Sequence, residues 1–143
     1  GEDVSDAIRE NAVSAAASAV SAVPRVRELM VARQREIAAK TDVVMDGRDI
    51  GTRVLPDAPL KIFLTAQPEV RARRRYLELE RRGEKVDFET LLREISQRDY
   101  NDSHRAVSPM TPAADAILLD SSDMTEKEVT ERVISLARER MGR

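Results

Sequence analysis

The sequence contains no cysteine and no tryptophan. Disulfides and thiolate-bound metals are thereby excluded, a composition that suits a reducing compartment. Its one histidine, His104, excludes a histidine-rich zinc centre. Aromatic residues make up only 3% of the chain, so the core must be built from Val, Leu, Ile and Ala. No apolar stretch reaches the roughly 18 residues of a spanning helix, and no basic-then-apolar leader opens the chain. An excess of base is missing too. The net charge is −2 and the pI about 5.6, which argues against a broad surface for nucleic acid or anionic membrane. These absences lead to the expectation of a cytoplasmic protein with neither nucleic-acid nor membrane partners. The opening residues, Gly1-Glu2-Asp3-Val4-Ser5, read as mid-domain sequence rather than a natural start.

What is there fits one soluble domain: 143 residues, 41% hydrophobic and 35% charged. Residues 6–22, rich in Ala, Val and Ser, read as a helix able to pack closely. Pro24 suits the first turn of a second helix, where its missing N–H costs nothing. That helix runs to about Lys40, with Val26, Leu29, Met30 and Ile37 at roughly helical spacing. Residues 43–46, 60–64 and 116–120 read as strands. Pro68 opens a helix ended near Gly83, Asp87 caps a helix over about 88–104, and Thr125-x-x-Glu128 is a capping box for a last helix. Strands separated by long helices imply a parallel sheet with helical crossovers.

Charged residues gather at three places, each with two readings. In VVMDGRDIGT, Asp46 and Asp49 suit a tight turn. They also stand at a strand's carboxyl end, where open α/β sheets bind ligands. Arg98, Asp102 and Arg105 share one helix face, either as a solvated ion-pair ladder or as a clamp for phosphate and sugar hydroxyls. The run Arg71 to Arg75, with Arg81 and Arg82, is either a charged helix face or a lid whose arginines neutralise phosphate. Apart from Tyr76 it lacks interleaved aromatics, so a base-stacking strip for RNA is disfavoured. His104 reads as a helix-end residue, and the five methionines as packing.

Seven segments, in order over nearly the whole chain, resemble the bacterial cytidylate kinase family: GEDVSDAIR, PRVRELMVARQR, DGRDIGT, LPDAPLKIFLTA, RARRRYLEL, RDYNDSHRAVSPM and DAILLDSS. The resemblance implies an α/β fold, a P-loop nucleoside monophosphate kinase-like parallel sheet with helices on both faces, missing its N-terminal strands. It divides the chain into 1–22, the end of the nucleotide-acceptor region, and 23–143, a core domain with a short lid at about 71–86. The family's Gly-rich P-loop, ending in Gly-Lys-Gly-Ser/Thr, has no counterpart, because none of the five glycines precedes a lysine. The chain thus resembles the carboxyl-terminal two-thirds of an enzyme that transfers the ATP γ-phosphate to CMP or dCMP with Mg²⁺. The alternative is an acceptor half that binds CMP without turnover.

The resemblance also implies roles. Ser18, Arg27 and Asp49 match the group that reads the cytosine edge. Arg98 and Asp102 match residues that hold the sugar. Arg48 and Arg105 match phosphate-gripping residues, Arg74 and Arg75 match lid arginines, and Asp46 matches a strand-end acid near Mg²⁺. The family's five-stranded sheet has the order two-three-one-four-five, so the strands here correspond to three, four and five. Strands 43–46 and 60–64 are then expected about two spacings apart, roughly 10 Å, with unpaired groups between them. Three outcomes follow from that slot: an unstable chain, filling by another chain, or closure of 43–46 onto 60–64.

Overall fold

A computed structural model describes residues 2–5, 7–9, 11–104 and 109–142. A short 3₁₀ turn, Ala7–Arg9, leads into helix α1, Asn11–Ser21, and helix α2, Pro24–Ala38. Pro24 occupies the first helical turn of α2, as its fixed φ favours. Strand β1, Ile62–Thr65, precedes α3, Pro68–Arg81, and α4, Phe88–His104. Strand β2, Ile117–Asp120, and α5, Glu126–Met141, complete the order. β1 and β2 pair in parallel, Ile62 opposite Ile117 and Thr65 opposite Asp120. The two helices between these strands make the crossover that a parallel pair requires.

The local signals act where expected. Thr125 and Glu128 form a reciprocal capping box at α5, and Gly142 ends that helix in the left-handed region at φ 66°. Asp87 Oδ2 accepts from the Thr90 amide at 2.8 Å, capping α4. Gly83 takes φ 77° just beyond α3, the conformation in which glycine carries no Cβ penalty.

Residues 43–46 form no strand, and they do not close onto β1. Val44 is fully exposed at 101%. The apolar triplet has β propensity, but a strand needs a ladder partner, and no described residue supplies one. The segment instead runs into a feature that the sequence did not announce, a π-helix at Ile50–Val54. Its amides reach back five residues: Val54 to the Asp49 carbonyl at 3.3 Å, and Leu55 to that of Ile50 at 2.7 Å.

The fully buried core is small. It comprises Val54, Ala66, Ala72, Leu79, Leu91 and Leu136. Most of the packing lies between α3 and α4 and between the two strands. Arg71 fastens α3 to α4 with a two-pronged pair to Asp99, and its Nε donates to the Ala66 carbonyl at 3.0 Å. This geometry assigns part of the basic run to structure.

Candidate functional site

Two acids, Asp49 and Asp102, are buried, and each is held by arginine. Asp49 is 5% exposed and precedes the π-helix. Its Oδ2 is in ion contact with Nη2 of Arg27, which reaches across from α2. The contact compensates charge but leaves directional hydrogen bonding unused. Among the described residues, the buried side-chain polar atoms without a hydrogen-bond partner are Arg27 Nε and Asp49 Oδ2. Both belong to this one pair. A buried donor and acceptor left unmade are costly in a folded protein.

Asp102, on α4, is the second acid and is 6% exposed. Its Oδ2 accepts from Arg48 Nε at 3.0 Å and lies 4.0 Å from Arg98 Nε. The pair to Arg98 is the predicted one-turn spacing. The pair to Arg48 spans 54 residues and ties the segment after 43–46 to the helix face. Asp102 is thus no member of a fully solvated ladder, which would leave the central acid exposed. Arg105 lies outside the described residues.

Arg48 and Arg98 line an open cleft of about 1540 Å³ together with Ser18 of α1. Four more arginines, Arg71, Arg75, Arg82 and Arg93, contribute to its walls, against the acids Glu78, Glu94 and Asp99. The balance favours an anionic occupant. Glu78 bridges two of these arginines, bonding Arg75 and Arg82 at 2.7 Å each. Ser18 is half-buried, and its backbone carbonyl accepts from Ser21 Oγ at 2.9 Å.

Of the expected site residues, Arg27, Asp46, Asp49, Arg74 and Asp102 are not among the described residues lining this cleft. The Arg74 guanidinium donates to Ser121 Oγ at 3.1 Å and to the Met124 carbonyl at 3.0 Å, so it clasps the loop leaving β2. Asp46 is exposed at the end of the unpaired segment. His104 stacks on Tyr100 with ring centroids 4.0 Å apart, as a helix-end residue. Sequence reasoning missed Arg35, which donates to two carbonyls of the π-helix. Its position eight residues after Arg27 on α2 was the available signal.

The cytidylate kinase family model matches residues 1–139. The chain belongs to the cytidylate kinase family. It is 55% identical over 138 residues to the cytidylate kinase of Caldanaerobacter subterraneus subsp. tengcongensis, covering 96% of this chain and 62% of that protein. The cytidylate kinase of Pseudomonas aeruginosa strain PAO1 is 55% identical over 134 residues, covering 94% of this chain and 58% of its own length. That of Salmonella typhimurium is 51% identical over 142 residues, covering 99% and 63%. The chain thus spans about three fifths of the length of the curated relatives it matches.

Proposed function

We propose that the full-length protein is a cytidylate kinase, transferring the γ-phosphoryl group of ATP to CMP or dCMP, and that these 143 residues hold the acceptor. The observation that carries this reading is the buried Arg27–Asp49 ion pair, whose Arg27 Nε has no hydrogen-bond partner among the described residues. Cytosine offers an exocyclic amine that a carboxylate can accept, beside a ring nitrogen and a carbonyl that a guanidinium and a serine hydroxyl can serve. Uracil presents a carbonyl where cytosine has the amine, and two acceptors facing each other repel. Asp49, Arg27 and Ser18 are the base-reading group in this account.

Asp102 and Arg98 hold the sugar, the carboxylate accepting from its hydroxyls. Arg48 grips phosphate, and its bond to Asp102 couples the sugar and phosphate subsites. Arg105 is assigned the same phosphate role. Phosphoryl transfer needs in-line placement and charge neutralisation more than covalent help. Arg48 and Arg75 supply positive charge from two separate segments. Arg74 joins them only by leaving Ser121 and Met124 as the lid, residues 71–86, closes and excludes water. Residues 1–22 close the acceptor side.

Mg²⁺–ATP, when bound, supplies the transferring phosphoryl group and screens its charge. Asp46 suits an indirect, water-mediated role toward the metal, since Mg²⁺ keeps several waters and leans on substrate phosphates. No group of three or more His, Asp or Glu side chains able to hold a metal ion forms among the described residues. The donor phosphates need a P-loop or its equivalent, for which these residues offer no candidate.

The test adds ATP, Mg²⁺ and CMP to the full-length protein and to the 143-residue chain. ADP formation is expected from the first. CMP binding without ADP is expected from the second. Absence of ADP from the full-length protein, with CMP still bound, would select the reading of an inactive CMP-binding module.

A further inference from the structure

The π-helix that carries Asp49 and Arg48 at its entrance is fastened from outside by a residue with no place in the chemistry above. Arg35 Nε donates to the Val54 carbonyl at 2.9 Å, and its Nη2 donates to the Arg53 carbonyl at 2.6 Å. These carbonyls belong to the last two residues of the π-helix. The amides of the same two residues donate to the Asp49 carbonyl, at 2.8 and 3.3 Å. Arg35 therefore grips the Arg53–Val54 peptide, whose amide bonds the Asp49 carbonyl, and the Val54–Leu55 peptide that follows it. Val54, at the same end, is buried against the core at 1% exposure.

The other end of the turn is held from the same helix. Arg27 and Arg35 lie eight residues apart on α2, about 12 Å along its axis and about 80° apart around it. Arg27 takes the Asp49 carboxylate, and Arg35 takes the carbonyls where the turn ends. A third contact confines the turn from the strand side. A Cβ at Gly51 would stand 3.2 Å from Lys61 Cδ, and Lys61 itself is pinned to Asp115 at 2.7 Å. A π-helix is an irregular, poorly bonded turn, often found at functional sites. It keeps one shape only where its surroundings determine it.

We infer that Arg35 is a positioning residue: it locks the π-helix, and through that turn sets the backbone from which Asp49 and Arg48 address the nucleotide. The inference rests on the function proposed above for its consequence, but the locking itself does not. Arginine suits this task because its planar fork reaches two carbonyls at once. Lysine is a single point donor and can serve only one well. Arg35 is exposed, so its truncation opens no core cavity.

The experiment compares full-length wild-type protein with Arg35→Lys and Arg35→Met by hydrogen exchange and by steady-state kinetics. In Arg35→Met, exchange over residues 49–55 should quicken roughly five- to tenfold, the scale of one or two lost hydrogen bonds, while α5 is unchanged. KM for CMP should rise by a similar factor with KM for ATP unmoved, and Arg35→Lys should fall between the two. Unchanged exchange at 49–55, or an increase spread evenly over the protein, would overturn the inference. So would KM values for CMP and ATP rising together, or local loosening without any change toward CMP. If wild-type protein neither binds nor phosphorylates CMP, the proposed function falls, while the exchange result still decides whether Arg35 locks the turn.

Discussion

Arg48 bears the most weight of any single side chain. It is 44% exposed at its side chain, faces the cleft, and is the only described link between the 43–49 segment and Asp102. Arg48→Ala in the full-length protein is expected to lower the single-turnover rate constant, and more severely than Arg105→Ala. Because its partner Asp102 is buried, Arg48→Ala also takes a counter-charge from a buried acid and should lower the melting temperature, so turnover is read per folded molecule. A large fall in melting temperature with normal turnover of the folded fraction would reassign Arg48 to structure. Arg71 provides the contrast. It sits in the same basic cleft wall but is tied to Asp99 and the Ala66 carbonyl. Arg71→Met should therefore loosen the α3–α4 pair, read as a lower melting temperature, before it affects chemistry. Sequence alone could not separate these arginines, since partner geometry is set by folding and not by composition.

At the scale of elements, punctuation residues were the most legible part of the chain. Pro24, Pro68, Gly83, Asp87 and Thr125 mark helix boundaries that the structure keeps, because caps and fixed φ values act locally. The capping box makes a direct prediction. Thr125→Ala should destabilise by about 1 kcal/mol, as loss of a well-formed N-cap does. The box is also pH-sensitive. The Thr125 amide and hydroxyl hydrogen-bond Glu128 and hold its carboxyl below the ordinary glutamate value. The hydroxyl and amide of Thr90 do the same for Asp87. A depressed folded-state pKa contributes stability that is present above the unfolded value and is lost as pH falls through the folded one. Acid titration of stability should thus be shallower in Glu128→Gln than in wild type. An unchanged slope would show that the box does not discriminate ionisation states. The strand expected at 43–46 and the unforeseen π-helix mark where local reading ended. A strand depends on a partner, and a π-helix on the clamps around it; neither is written in the segment's own residues.

Across the whole molecule, surface area carries the argument. The chain exposes 10665 Å², whereas a folded monomer of its 16.0 kDa mass is expected to expose about 7,400 Å². Leu64 and Leu118 lie in the sheet yet are 55% and 66% exposed. They point to opposite faces, so both sides of the sheet are partly uncovered. The 143-residue chain alone is accordingly expected to melt broadly and to bind a hydrophobic dye, and the full-length protein to melt sharply and bind little. A sharp, cooperative melt of the short chain as a dye-silent monomer would contradict that expectation.

The fold class was legible in the sequence because the seven matching segments carry contiguous motifs, and the residues proposed for the site were drawn from the same motifs. Burial of Asp49 and Asp102, the cross-chain bond from Arg48, and the diversion of Arg74 to Ser121 depend on contacts between distant segments. The central claim is that Asp49, held by Arg27, reads the cytosine amine. Its most direct test is the ratio of kcat/KM for CMP over UMP in full-length wild type and Asp49→Ala. The account predicts a ratio well above one that falls about ten- to a hundredfold in the variant, the worth of one good base contact, with KM for ATP unchanged. An unaltered ratio in a folded, active Asp49→Ala enzyme would contradict it.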